Sequence, residues 1–260
     1  MTYLIRSWNV FHGRTQPPGR RAYLEEAITL ATRDDPDVLC LQELPLWSLG
    51  RLEAWSGMAA SSGRTRHRLG RLGRRPTDLH HGTFRSSLTG QANAVLVARR
   101  HAVSDHRTLV LNDRVFVARE ARRLGLGLRV GFAWTAERRV CQALRIRPAS
   151  DRSIVLLHLH LTHLRDRRCA EAELRRAVRF GSELAVAGEP LVVAGDFNLT
   201  AASPVLSELT DAGFSPAGPA IDHVLVRGEA STPLSVWPAE RRSVDGRVLS
   251  DHPPVELSVG

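Results

Sequence analysis

Short apolar runs that end or begin with acids, amides or histidines are the feature that most constrains this chain. Three polar islands follow such runs: Ser7-Trp8-Asn9, Gln42-Glu43 and Gly195-Asp196-Phe197-Asn198. Two more, Ile221-Asp222-His223 and Ser250-Asp251-His252, come just before such runs. Apolar runs this short are typical of buried strands. The pattern therefore predicts one polar site, assembled from strand ends that are distant in sequence.

The composition is that of a globular protein with a strong positive charge. Of the 260 residues 43% are hydrophobic and 24% are charged, and the net charge is +9. Every basic residue other than histidine is an arginine, whose guanidinium group binds phosphate through a fork of donors. We therefore expect an anionic partner, and nucleic acid is the first candidate.

Several sequence patterns are missing, and this narrows the class of protein. No apolar stretch reaches the roughly 18 residues that a membrane span needs, and the N-terminal residues lack the pattern of a signal peptide. The cysteines Cys40, Cys141 and Cys169 are widely spaced, which argues against a disulfide framework or a zinc ribbon. We expect a cytoplasmic monomer with no stable membrane association.

Hydrophobic periodicity predicts a mixture of strands and helices. Strands are predicted at residues 3–10, 38–41, 94–98, 107–111, 128–133, 140–146, 153–160, 190–194, 221–226, 234–237 and 255–259, and helices at 21–33, 45–55, 167–187 and 204–212. Because strands and helices do not alternate strictly, mixed sheets are favoured over a purely parallel one. We predict one α/β domain of the α+β type over residues 1–260.

Residues 56–92 differ in composition from the rest of the chain. They are rich in Gly, Ser, Arg and His and contain few large apolar residues. We interpret them as a basic surface insertion. Such a segment is either a solvated loop or a contact surface for a phosphate backbone, and the sequence leaves both open.

Two of the acids at the ends of apolar runs are candidate metal ligands. Glu43 follows the run at 38–41, and Asp251 precedes the run at 255–259. Cleavage of a phosphate ester brings a nucleophile to an anionic phosphorus, and a bound Mg²⁺ neutralises part of that charge. Mg²⁺ prefers oxygen ligands and needs only one or two carboxylates. Surface acids after strands are also common, so neither residue is decisive alone.

Asp196 and Asn198 follow a strand that ends at Gly195. If the extended geometry continues, both side chains point the same way. The aspartate could then orient water or accept its proton, while the asparagine could donate to a phosphate oxygen. The alternative is an Asx turn that simply ends the strand.

Histidines supply the third part of the pattern. His158 and His160 share one face of a predicted strand, and Asp222 and Asp251 each precede a histidine. An aspartate hydrogen-bonded to an imidazole fixes its tautomer and raises its pKa. Such an imidazolium could hold a phosphate or donate a proton. The sequence leaves open which aspartate faces which histidine.

The order of these motifs resembles the endonuclease/exonuclease/phosphatase superfamily. The matching segments are Trp8-Asn9, Leu41-Gln42-Glu43, residues 93–99, His160-Leu161, Gly195-Asp196-Phe197-Asn198, Ile221-Asp222-His223-Val224 and Ser250-Asp251-His252, which together span nearly the whole chain. The resemblance implies a four-layer sandwich of two mixed β-sheets with outer helices. It also implies a phosphoesterase that depends on Mg²⁺ or Mn²⁺ and uses direct attack of water.

The same resemblance implies a role for each matched residue. Glu43 would be the principal metal ligand, helped by Asn9 and Asp251. Asp196 would activate the water, with Asn198 beside it on the phosphate. The remaining roles are those of His252 at the scissile phosphate, Asp222 as its partner, His160 as a second phosphate-facing imidazole, and Asn93 and His158 as substrate-binding residues.

Details of the match favour some branches and leave others open. An imidazole at position 160 is similar to the pancreatic-DNase and sphingomyelinase branches and unlike the abasic-site endonucleases. His158 stands where many relatives have Asn, and His223 where Tyr or an aliphatic residue is frequent. The substrate stays open among DNA, RNA, a small nucleotide, a phosphoinositide and sphingomyelin.

Two other readings compete with this one. The segment His158-Leu159-His160-Leu161-Thr162-His163 approximates the zinc motif of metallo-β-lactamase-like hydrolases. Thr162 replaces the aspartate of that motif, and a histidine-bound zinc should not need Glu43. The other alternative is a basic module that binds polyanions without catalysis, because fold alone does not determine function.

Overall fold

Two mixed β-sheets lie face to face, and helices cover the outer surface of each. The computed structural model describes residues 2–64, 91–148, 152–218 and 220–260. The strands are β1 (Tyr3–Asn9), β2 (Thr15–Gln16), β3 (Val38–Pro45), β4 (Ala59–Arg64), β5 (Gln91–Val97), β6 (His101–Val110), β7 (Val140–Pro148), β8 (Ile154–His160), β9 (Leu191–Asp196), β10 (Asp222–Arg227), β11 (Ser235–Val236), β12 (Ser243–Val244), β13 (Arg247–Leu249) and β14 (Val255–Val259). The helices are α1 (Leu24–Thr32), α2 (Leu52–Ser56), α3 (Arg114–Arg123), α4 (Leu128–Thr135), α5 (Arg168–Leu184) and α6 (Pro204–Asp211), with 3-10 turns at Phe11–Gly13, Leu46–Arg51 and Glu240–Arg242.

Each large sheet contains one parallel pair of strands among antiparallel neighbours. The first sheet has the order β11-β14-β1-β3-β5-β4, with β1 and β3 parallel. The second has the order β10-β9-β8-β7-β6, with β8 and β9 parallel. A small third sheet joins β12, β13 and β2. The predicted fold class, a sandwich of two mixed sheets with outer helices, is confirmed.

The layer between the two sheets forms from alternate residues of each strand. Side chains of a strand point to opposite faces in turn. Ile5 and Val38 of the first sheet meet Leu144, Leu156 and Val192 of the second in one buried cluster. This apolar burial holds the two sheets together, because each fully buried aliphatic side chain contributes about 1.5–3 kcal/mol.

The helices bury the other faces of the sheets. On α1 the apolar residues Leu24, Ala27, Ile28 and Ala31 recur at helical spacing and pack with the outward residues of β3. On the opposite side, α5 and α6 cover the outward residues of β8 and β9. The molecule is therefore layered as helix, sheet, sheet and helix.

The structure corrects two predictions made from the sequence. The strand predicted at residues 128–133 is wrong, because this segment is helix α4. A second helix that was not predicted, α3, precedes it and is capped by Asp113, whose side chain accepts hydrogen bonds from two backbone N–H groups of its first turn. The predicted surface insertion at 56–92 begins too early, because β4 pairs with β5. Residues 65–90 of that insertion lie outside the described residues.

Two further features of the described residues concern the cysteines and the character of the helices. All three cysteines are buried free thiols. Among the described helices, none has the length and apolar character needed to cross a bilayer.

We predict that Gly195→Ala destabilises the fold by about 2–4 kcal/mol. Gly195 has φ of +149°, and a Cβ there would lie 1.9 Å from the carbonyl oxygen of Leu159 on the parallel neighbour β8. Chemical denaturation would measure the loss. Gly57→Ala is the matched control, because Gly57 has φ of +71° and open space around it. If both variants lose the same stability, the close approach of the strands is not the reason for glycine at position 195.

Candidate active site

The layer between the sheets changes from apolar to polar at one end. At the carboxyl ends of β1, β3, β8 and β9, and at the amino ends of β5, β7 and β10, the inward positions carry polar side chains. These are Ser7, Asn9, Gln42, Asn93, Gln142, His158, His160, Asp196 and Asp222, and all of them are buried. The predicted assembly of one polar cluster from distant strand ends matches this arrangement. The cluster is a buried floor on which a site can be built.

Two aspartates and one histidine form the centre of this floor. Asp196 and Asp222 are register partners on β9 and β10. The His252 Nδ1 atom lies 2.8 Å from Asp222 Oδ2 and 4.0 Å from Asp196 Oδ2. Asn9 donates a hydrogen bond of 3.0 Å to Asp196 Oδ2, and His160 Nε2 lies 3.5 Å from the same oxygen. Five of the residues predicted for the site are therefore in direct contact.

Burial and neighbouring charges separate the protonation states of these groups. Burial and the charge of Asp222 raise the pKa of Asp196 to about 7. Burial opposes a charge on His252, but the hydrogen bond and charge of Asp222 outweigh it and raise the pKa of His252 to about 9. Burial and the charge of Arg139 hold the pKa of His160 well below its usual value. At neutral pH the site therefore combines an imidazolium, a neutral imidazole and a carboxyl group poised to exchange a proton.

Glu43 reaches this site through an irregularity in its strand. Continued alternation would place it on the outer face with Leu41. Instead the pairing of β3 shifts between Leu41 and Leu44, and Glu43 has φ of +56°. Its Oε2 atom lies 3.1 Å from His12 Nε2. Burial disfavours the charge, yet the hydrogen bond and charge of His12 keep the pKa of Glu43 well below its usual range. Glu43 is thus an ionised carboxylate.

His12 is a site residue that the sequence analysis missed. It lies in the 3-10 turn after β1 and is itself buried in the left-handed region, with φ of +56°. The only signal in the sequence is its own position, three residues after Asn9. Its contact with Glu43 depends on backbone conformations that the residue pattern does not reveal.

Strained backbone is concentrated around the site. Seven non-glycine residues of the described chain have positive φ, and five of them belong to segments around the floor: Phe11, His12, Glu43, Asn198 and Ser250. Each such conformation costs about 1–2 kcal/mol. Specific hydrogen bonds hold the last of these segments, since Ser250 Oγ donates to Asn9 O at 2.6 Å and Trp8 Nε1 donates to His252 O at 2.9 Å.

Asn198 does not continue the strand as the extended reading predicted. Its φ is +52°, and its backbone N–H donates to Asp196 Oδ1 at 2.9 Å, which is the Asx turn considered as the alternative. The side-chain Nδ2 donates to Leu161 O at 3.0 Å, and Oδ1 lies 2.7 Å from His163 Nδ1. The amide keeps a second hydrogen for another acceptor. Its predicted contact with phosphate stays a prediction.

His158 and Asn93 lie in a layer behind the central residues. His158 is fully buried, and its ring nitrogens lie 2.7 Å and 3.4 Å from the amide nitrogens of Gln42 and Gln142. Burial lowers the pKa of His158 to about 3, so it is neutral. Gln142 also donates to Asn93 O at 3.3 Å. These contacts support a positioning role, and the predicted binding of substrate by either residue stays a prediction.

The donors on one side of the floor fit a divalent metal that prefers oxygen. Glu43 supplies an ionised carboxylate, Asn9 supplies an amide oxygen, and Asp251 is exposed on the loop that Ser250 ties to β1. Asp196, Asp222 and His252 also place one ligand atom each within 4.8 Å of one another. In this second set His252 already contacts Asp222 at 2.8 Å, and a histidine must be neutral to bind a metal.

The order of these site residues along the chain is that of a known protein family. The sequence profile of the endonuclease/exonuclease/phosphatase family matches residues 7–252. The chain belongs to this family. Members of the endonuclease/exonuclease/phosphatase family are phosphoesterases, and the match includes β1, β3, β8, β9, β10 and the loop with His252. No curated protein sequence matches this chain significantly.

Solved structures of family members share the fold at low sequence identity. An endonuclease/exonuclease/phosphatase from Bacteroides vulgatus is 15% identical, with a TM-score of 0.69 over 100% of this chain and 99% of that one. A mannosyl-6-phosphatase from Bacteroides thetaiotaomicron is 14% identical, with a TM-score of 0.65 over 99% of both chains. TDP2 from Caenorhabditis elegans is 16% identical, with a TM-score of 0.61 over 100% of this chain and 74% of that one. These similarities confirm the fold and leave the substrate open.

We predict that Asp222→Asn lowers the pKa of His252 from about 9 towards its ordinary value of 6.5. A raised histidine pKa stabilises the fold fully below the unfolded value and loses this contribution as pH rises through the folded value. The unfolding free energy of the wild type should therefore decline between pH 6.5 and about 9, and less so in the variant. NMR titration of the ring would measure the pKa. Asp113→Asn, at the cap of α3, is the control and should leave His252 unchanged.

Proposed function

We propose that this phosphoesterase is a divalent-metal-dependent phosphodiesterase that cleaves nucleic acid by direct attack of water. The observation that carries the proposal is the pairing of His252 with Asp222 beside Asp196, together with the ionised Glu43. This arrangement offers a cation for a phosphate, a proton acceptor for water and a carboxylate for a metal. Each of the three assists the hydrolysis of an anionic ester.

The protonation state of each residue determines its role in the proposed reaction. Asp196, whose pKa is raised to about 7, orients the attacking water and accepts its proton. His252, held as an imidazolium by Asp222, contacts the scissile phosphate. Neutral His160 and the remaining amide hydrogen of Asn198 donate to phosphate oxygens. A Mg²⁺ or Mn²⁺ ion held by Glu43, Asn9 and Asp251 would neutralise charge on the phosphoryl and leaving oxygens.

The net charge supports nucleic acid as the polymer. The chain carries +9, all of its basic side chains other than histidine being arginines. Arginine binds phosphate through paired donors, and a basic protein attracts polyanions over long range. The similar structures include proteins as different as a mannosyl-6-phosphatase and TDP2. A small nucleotide, a phosphoinositide and sphingomyelin therefore stay as alternative substrates, and a non-catalytic polyanion-binding module as an alternative of another class. The cytoplasmic location and the monomeric state stay proposals.

Turnover of a substrate panel tests this proposal. The panel contains plasmid, single-stranded DNA, RNA, bis-p-nitrophenyl phosphate and sphingomyelin, each with EDTA, Mg²⁺ or Mn²⁺. We expect metal-dependent cleavage of a nucleic acid that is lost in Glu43→Ala. Glu25→Ala, at an exposed acid on α1, is the matched control. Cleavage of small esters or lipid alone would overturn the nucleic acid assignment, and polyanion binding without any turnover would favour the non-catalytic module.

Substitutions should separate the metal ligand from the groups that act on substrate. We expect Glu43→Ala chiefly to raise the metal concentration needed for activity. Asp196→Ala and His252→Ala should lower kcat by about 100-fold or more at saturating metal. Metal titrations of initial rate measure both effects. Near-normal turnover in all three variants would show that the site assignment is wrong, and a burst of covalent phospho-enzyme on rapid quenching would contradict direct attack by water.

A further inference from the structure

A helical hairpin stands at the rim of the candidate active site. It comprises α3, α4 and their connections, residues 111–139, and joins β6 to β7; we call it the α3–α4 hairpin. Val110 pairs with Val140 at the base of the hairpin, and two residues later Gln142 pairs with His158. The hairpin therefore leaves the second sheet at the same end of the strands as His160 and Asp196.

Buried hydrogen bonds of Asn112 close the hairpin on itself, and one buried bond from Trp134 anchors it to α5. Asn112 donates to Trp134 O at 2.7 Å and to Glu137 O at 2.6 Å, and accepts from Arg139 N at 2.8 Å. Trp134 is fully buried, and its Nε1 donates to Glu173 on α5 at 2.7 Å. These bonds hold the hairpin in one position, so its outer surface is preformed.

The outer surface of the α3–α4 hairpin presents large apolar side chains to water. Leu128 is 94% exposed and Phe132 is 80% exposed, and their spacing of four residues places them on one face of α4. Val115 on α3 is also 80% exposed. Isolated exposed apolar residues are ordinary, but a neighbouring leucine and phenylalanine on one short helix indicate a surface that another body covers.

The same hairpin carries several exposed arginines without an ion-pair partner among the described residues. Residues 114–139 contain seven arginines and two glutamates. Both glutamates already pair with arginines of the hairpin. Four further arginines of the hairpin are exposed and form no ion pair within the described part of the chain: Arg114, Arg122, Arg129 and Arg138. The hairpin thus combines apolar side chains with free positive charge.

We propose that the α3–α4 hairpin docks on an anionic lipid surface. A second copy of this chain would bring arginines against arginines, so the charge excludes self-pairing of this face. Duplex nucleic acid presents phosphates but no apolar layer that could receive Leu128 and Val115. An anionic bilayer offers both, with phosphates at its surface and acyl chains beneath.

This proposal revises the expectation of no stable membrane association. That expectation rests on the lack of an apolar stretch long enough to span a membrane, and the sequence analysis predicts a strand at residues 128–133. The structure turns the same residues outwards on α4. The docking is independent of which phosphodiester the enzyme cleaves, and it can be measured without turnover.

Vesicle sedimentation of the full chain in EDTA tests the proposal. The probes are vesicles of phosphatidylcholine alone and vesicles with about 30% phosphatidylserine. We expect binding to the anionic vesicles only, and a loss of at least about tenfold in partitioning for Leu128→Ser/Phe132→Ser. Val186→Ser, at a 63% exposed valine after α5, is the matched control and should bind normally. Unchanged turnover of bis-p-nitrophenyl phosphate by both variants would show that they fold.

A charge variant tests the second half of the argument. Arg122→Gln/Arg129→Gln should weaken binding to the anionic vesicles by about tenfold, because each arginine near such a surface contributes about 1 kcal/mol. Arg33→Gln/Arg147→Gln, with exposed arginines on other elements, should have a smaller effect. The proposal is overturned if wild type ignores anionic vesicles or if Leu128→Ser/Phe132→Ser binds them normally. Two further results would overturn it. In the first, Leu128→Ser/Phe132→Ser weakens binding to an oligonucleotide but not to vesicles; in the second, it changes the oligomeric state in sedimentation but not vesicle binding.

Discussion

The face-to-face packing of two mixed sheets is the interaction on which the rest of this structure depends. Alternation along each strand sends every second side chain into the layer between the sheets. Over most of that layer the side chains are apolar, and their burial holds the sheets together. At one end of this layer the inward positions of the same strands become polar. The site is thus the end of the core, where the walls are already rigid and water is largely excluded.

This origin explains why the site can hold groups in unfavourable states. Asp196 is buried beside another carboxylate, and both effects favour a proton on it near neutral pH. Glu43, His12 and Asn198 adopt left-handed conformations that none of them prefers. The packed sheets stabilise the molecule by far more than these local costs, so they can impose geometry on a few residues. Strain and shifted pKa values are therefore concentrated where the core meets solvent.

Sequence patterns reveal the regular parts of this fold and miss the irregular ones. Val38–Leu41 and Leu191–Ala194 are recognisable as strands because their burial is continuous, and the polar residues that follow them mark the site. Leu128–Ala133 was misread because its apolar residues alternate like a half-buried strand; Asp113, a strong helix cap, was the overlooked signal. His12 was missed because its position depends on a turn with positive φ. Residues in the left-handed region leave no periodic trace.

The shared alternation also limits how such a chain can change its length. Within β1, β3, β8 or β9, losing or gaining one residue between core and site would move every later side chain to the opposite face, carrying the acids and histidines into the helical layers. A bulge can correct such a slip, and the one before Leu44 turns Glu43 to the site side. Connections such as the one between β6 and β7 face no such rule. Insertions and deletions should accumulate there, so new substrates can be acquired by exchanging a loop while the strands keep their residue count.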